Sequence, residues 1–158
     1  MNHRIRQLRA GFLLWVLMLS ACSNGEQTPE QQIRDMIAAA EAAVESRSVT
    51  AVTPFVADSY SDPAGRDRRQ LAKLLAGYFL GHQSIHLLVQ IKQIEITSDK
   101  SARAELYVAM AGQPLENVVQ LIAYRADLHY FDLQLDKQDG DWLVSSGQWR
   151  RANQSDFL

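Results

Sequence analysis

The sequence predicts a single α+β domain in which N-terminal helices pack in a curved, bulged antiparallel sheet. Three observations predict it. Apolar residues recur at helical spacing as far as Gly81 and at alternate positions beyond it. That alternation slips phase near Lys92-Gln93 and again at Tyr130-Phe131, and one long strand with a bulge explains the first slip. Asp139-Gly140 lies between two alternating runs, the strongest hairpin signal in the chain. With 158 residues, 47% hydrophobic and 22% charged, the chain suits one globular domain.

The elements follow in order. Thr28-Pro29-Glu30-Gln31 opens the first helix, with threonine as cap, proline at the first helical position and glutamine three after the cap. Ile33, Met36, Ile37, Ala40 and Val44 give it an apolar stripe to about Arg47, with Met36 a core residue. "VTAVTPFVADSY" holds a short second helix broken near Pro54. A third opens at Asp67, carries Leu71, Leu74, Leu75, Tyr78 and Phe79 on one stripe, and stops at Gly81. Strands then follow through Ile85–Ile96, Ala102–Val108, Leu128–Leu135 and Trp142–Trp149, with a turn at Ser98-Asp99-Lys100. "GQPLEN" separates the second strand from "VVQLIAY". The tail, 152–158, reads as loose.

The N-terminus has a different character. Three of the 16 basic side chains, Arg4, Arg6 and Arg9, lie in the first 21 residues, which hold no acid. They precede the apolar run Ala10 to Leu19, which is too short for the roughly 20 residues of a spanning helix. This is the layout of a secretory leader, residues 1–21. The remainder carries 13 bases against 18 acids, so nucleic acid is not expected as a partner.

Leu19-Ser20-Ala21-Cys22 resembles the bacterial lipobox. The resemblance implies that the Cys22 sulfur takes a diacylglyceryl group, that the leader is cut before it, and that the new amine is acylated. The chain's one thiol is then spent, and no disulfide forms. Ser23 stands where lipoproteins retained in the inner membrane typically carry aspartate, which implies the outer membrane, periplasmic face. Residues 22–28 form a polar tether; from Ser23 to Pro29 it reaches about 25 Å when extended. The domain at 29–151 therefore works close to the bilayer.

The order of helices and strands, with "FVADSYSDPAG" and "DGDWLVSSGQW", resembles the nuclear-transport-factor-two-like, or cystatin-like cone, superfamily over about Pro29 to Trp149. That superfamily includes ketosteroid isomerases and polyketide-cyclase-like enzymes. In the isomerases an Asp-Pro-x-Gly run supplies the general base, and Asp62-Pro63-Ala64-Gly65 matches it, so the resemblance implies Asp62 as a candidate base. The same four residues also suit a type I turn, with aspartate first, proline second and glycine fourth. The isomerases' tyrosine in the first helix has no counterpart here. The turn is the favoured reading. Tyr60, Asp62, Tyr78, His86 and Tyr130 are the candidate pocket residues of such a cone.

His82 and His86 have the spacing of two ligands on one helix face, but Gly81 ends the helix before them, so no metal or other cofactor is expected. Arg66, Arg69 and Lys73 form a basic stripe that suits anionic head groups or an acidic partner; a solvated helix face is the blander account. The sequence thus points to a lipid-anchored periplasmic binding or accessory domain. Its partners would be an envelope protein, a small apolar ligand or a second copy. A cofactor-free isomerase or lyase using Asp62 and a structural subunit of an envelope assembly are the alternatives.

Overall fold

The computed structural model describes residues 27–157 except Val118 and Tyr124. The leader, Cys22 and the tether's first residues lie outside the described part. Helix α1 spans Pro29–Glu45, α2 Val49–Val52 and α3 Arg68–Gly81, with a 3-10 turn at Thr53–Phe55. Strands β1 (His86–Ser98), β2 (Ser101–Ala111), β3 (Asp127–Gln138) and β4 (Asp141–Arg151) follow, with a helical turn α4 (Gln120–Ala123) between β2 and β3. The strands form one antiparallel meander in chain order.

Caps fix the helices. Thr28 Oγ1 accepts from the Gln31 amide at 3.2 Å, while the Gln31 side chain turns to Asp35 instead of closing a capping box. At α3 the box does close: the Gln70 amide donates to Asp67 Oδ1 at 2.7 Å, and the Asp67 amide donates to Gln70 Oε1 at 2.8 Å. Helix α1 leaves its axis at Arg47, whose φ of 56° is left-handed and whose guanidinium donates to the Phe79 and Gln83 carbonyls.

The core lies between α1 and the inner face of the sheet. Ile33 and Ile37 from α1 meet Ala102, Ala104, Leu106, Val108, Leu135 and Trp142. The β1 slip is the expected bulge: Ile91 pairs with Leu106 and Gln93 with Glu105, leaving Lys92 unmatched. Ile94 thereby returns to the face that holds Leu87, Val89 and Ile91.

The second slip has another origin. The pairing of β2 with β3 runs unbroken through Tyr130 and Phe131. Apolar side chains change parity there because both sheet faces are covered at that end. Phe131, Leu133 and Leu135 face α1, whereas Leu128 packs outward with Tyr107, Leu115, Leu121 and Phe157. The irregularity lies across β4, where Gln134 pairs with Ser146 and Leu135 with Val144.

The tail is likewise not loose where it is described. Gln154–Phe157 forms a 3-10 turn, and Phe157 is buried with its ring 5.6 Å from that of Tyr107. Covering the outer face removes apolar area from water, which outweighs the ordering of a few terminal residues.

At the β3–β4 turn, Asp139 and Gly140 have φ of 52° and 98°, as the favoured two-residue hairpin requires. Helix α3 is only lightly embedded. Only Phe79 is buried, and Leu74 and Leu80 are 45% and 88% exposed.

Candidate functional site

The Asp62 turn is built as its residues dictate. The Gly65 amide donates to the Asp62 carbonyl at 2.8 Å, and Gly65 takes a φ of 74° that a side chain would resist. Asp62 Oδ1 accepts from the Ala64 and Arg66 amides, both at 2.9 Å, and Oδ2 from Arg66 Nε at 2.6 Å. The Arg66 guanidinium also lies 4.5 Å from the Trp149 ring centre. Burial works against the Asp62 charge, but these Arg66 and Ala64 donors win and hold its carboxyl below the usual range. Beside it, burial and the Asp62 charge push the Tyr60 hydroxyl up to about 12. A carboxylate so engaged is a poor proton acceptor; the geometry is that of a locked turn.

The five candidate pocket residues do not share a pocket. Tyr60 lies on the inner side, its hydroxyl near Gly147. Tyr78 lines a separate cavity of about 100 Å³ with His82, Ser84, Met110, Arg125 and Asp127, and its hydroxyl donates to Met110 Sδ at 3.6 Å. Burial, then the Asp127 charge, raises the Tyr78 hydroxyl. Tyr130 lies across the sheet, opposite Tyr107 on the outer face. His86 begins β1 opposite Ala111, out of phase with inward Leu87. The sheet divides the set because alternate strand residues point to opposite faces.

His82 and His86 also belong to different elements. His82 caps α3, stacked on Tyr78 at 4.1 Å, with Nδ1 2.8 Å from the Tyr78 carbonyl. His129 faces the cone near Phe131, and burial depresses its pKa.

Two arrangements escaped the sequence reading. On the outer face, Arg103 donates to both Asp132 oxygens at 2.8 Å, and Gln148 donates to Asp132 at 3.0 Å. Arg103 also pairs with Glu105, which accepts from Lys92 Nζ at 2.7 Å. Lys92 and Arg150 lie 5.5 and 4.5 Å from the Tyr130 ring centre. The Arg103 donors hold Asp132 below the usual carboxylate range, and the Lys92 bond does the same for Glu105. The second is a groove of about 570 Å³ between α1, Thr53–Phe55 and the β3–β4 turn. Met36, Phe55 and Trp142 line it, with Asp35 and Asp141 also along its walls. Trp142 Nε1 and Lys137 Nζ both donate to Gln32 Oε1, at 3.2 and 2.9 Å.

No family model matches the sequence, and no curated protein matches it either. Solved structures do resemble it in shape. An NTF-2 like protein of unknown function from Shewanella oneidensis is 15% identical, with 77% of this chain and 98% of that one covered and a TM-score of 0.55. A domain of unknown function with a cystatin-like fold from Nostoc punctiforme is 14% identical, covers 80% of each chain and has a TM-score of 0.60. A ketosteroid isomerase-like protein from Erwinia carotovora atroseptica is 14% identical, with 78% of this chain and 95% of that one covered and a TM-score of 0.58. At these identities the likeness is one of fold, and the chain has the cystatin-like, NTF2-like α+β architecture.

Proposed function

We propose that this chain is a lipid-anchored periplasmic domain that binds a partner close to a membrane and does no chemistry of its own. The observation that carries this reading is the arginine-led apolar run ending in Leu19-Ser20-Ala21-Cys22. Two or three acyl chains at one cysteine anchor stably where one does not, since each buried methylene contributes about 0.8 kcal/mol. Ser23 after the cysteine supports the outer membrane. Mass spectrometry of the protein from its native cells tests this: an acylated Cys22 as the first residue is expected. An intact leader or a free thiol would end the reading.

A cofactor-free isomerase or lyase is the second reading, favoured by the Asp-Pro-x-Gly run and the ketosteroid isomerase-like neighbour. Asp62 is its candidate base. The three donors on that carboxylate weigh against it. Complementation of a deletion strain separates the two, because a folded Asp62→Asn protein rescues a binding function and not a catalytic one. The partner, whether envelope protein, small apolar ligand or second copy, is sought by cross-linking at the groove beside Phe55.

A further inference from the structure

We infer that the exposed face of α3, carrying Arg69, Lys73, Leu74 and Leu80, lies against the anionic surface of the bilayer. The inference rests on the lipid-anchored reading and adds to it an orientation. Arg69, Gln70, Lys73, Leu74, Gly77, Leu80 and Gly81 are the exposed residues of this helix along most of its length. At 3.6 residues per turn they fall on one arc, with Leu80 projecting between Arg69 and Lys73. A leucine 88% exposed and another 45% exposed share this arc with two cations, and no acid occurs anywhere in Arg68–Gly81. Neither Arg69 nor Lys73 forms an ion pair among the described residues, whereas Arg66 and Arg68 are held by Asp62 and Asp58.

This combination fits a lipid interface better than water. Leucine side chains enter the boundary between head groups and acyl chains, while arginine and lysine extend their ends to the phosphates. The outer face differs, because its Arg103 and Lys92 are already matched to Asp132 and Glu105. The chain beyond the leader is acidic, so most orientations at an anionic surface are repelled and this basic face is favoured. The seven residues from Cys22 to Thr28, before α1 starts at Pro29, extend no more than about 25 Å, which keeps the domain at the surface.

The test uses the lipidated full-length protein, reconstituted into phosphatidylcholine vesicles with or without phosphatidylglycerol. Gly77→Cys, on the exposed arc where a Cβ meets nothing within 4 Å, carries an environment-sensitive dye; Gln134→Cys on the outer face is the control. Nitroxide lipids are expected to quench the position-77 dye well above the control, and only with phosphatidylglycerol present. Replacing Arg69 and Lys73 by glutamine lowers the docked-to-undocked ratio roughly thirtyfold, about fivefold for each charge lost. A lipidated chain whose two dyes are quenched alike overturns this inference and leaves the anchoring intact. Shielding of position 77 by an acidic envelope protein, without lipid quenching, also overturns it. A free Cys22 thiol overturns the anchoring, and this orientation with it.

Discussion

Arg66 donates from Nε to Asp62 at 2.6 Å while its guanidinium lies 4.5 Å from the Trp149 ring centre, so one side chain joins the interhelical turn to the last strand. The Ser61 amide donates to the Ser145 carbonyl at 3.1 Å and reinforces the same junction. Trp149 closes the inner face opposite Phe131. The one residue with an enzyme-like motif is thus committed to holding the wall of the cone.

Asp62→Asn is therefore expected to act on stability. The amide keeps an acceptor for the Ala64 and Arg66 amides but loses the charge that attracts the guanidinium. Because the folded carboxyl lies below its ordinary value, its contribution is present above the unfolded pKa, near 4, and is lost as pH falls through the lower folded value. Wild type should lose stability steeply on acidification below about pH 4, and the variant should start lower at neutral pH and fall less. Urea midpoints measured across pH check this. Equal slopes in the two proteins would assign the acid sensitivity elsewhere.

The outer face offers a second experiment. Arg103→Met leaves Asp132 with Gln148 as its remaining side-chain donor and removes the ion pair that lowers its pKa. The Asp132 carboxyl should titrate higher, which carbon-detected NMR of the side chain reads directly. Combining Arg103→Met with Asp132→Leu should recover much of the lost stability, since apolar replacement of both partners is often neutral or better. A double variant no more stable than the single one would mean the network is held by more than this pair.

These sites also show what the sequence could convey. Parity along a strand was readable: Leu87, Val89 and Ile91 define the inner face of β1, and His86 is out of phase with them. Tyr130 is likewise out of phase with Phe131, Leu133 and Leu135, so both could have been removed from the pocket on alternation alone. The β1 bulge was legible because Val89 and Ile91 before Lys92, and Ile94 and Ile96 after it, alternate with polar Gln90, Gln93 and Glu95. At Tyr130-Phe131 the same signature misled, because periodicity cannot distinguish a slipped register from a strand covered on both faces. The outer charged network was half visible as Arg103 and Glu105 on alternate positions. Asp132 as their partner depends on pairing between strands, which composition does not encode.

Leu135 and Leu80 provide a matched contrast in energy. Leu135 is 0% exposed between α1 and the sheet, so Leu135→Ala should cost about 3 kcal/mol through lost burial and the cavity left behind. Leu80→Ser, at a site 88% exposed, should change stability by no more than about 0.5 kcal/mol. Chemical denaturation of both variants checks the pair. A large loss at Leu80 would mean that this side chain is buried in solution.

The C-terminal turn makes the last prediction. Phe157 is buried against Tyr107, Ala109, Leu115 and Leu121, while the Asp156 amide and carboxylate bracket Asn153 and the Ala152 amide donates to the Leu128 carbonyl. Few polar bonds hold this segment, so its ring is the principal anchor. Phe157→Ala should cost about 3 kcal/mol, the low end for a buried aromatic, because a segment held by so few polar bonds can relax into the space. It should also release the turn before the sheet, so Asp156 and its neighbours exchange amide hydrogens quickly while β2 and β3 stay protected. Hydrogen exchange separates the possibilities: uniform loss of protection would make the tail part of the main cooperative unit, and no change would mean that the outer face is stable without it.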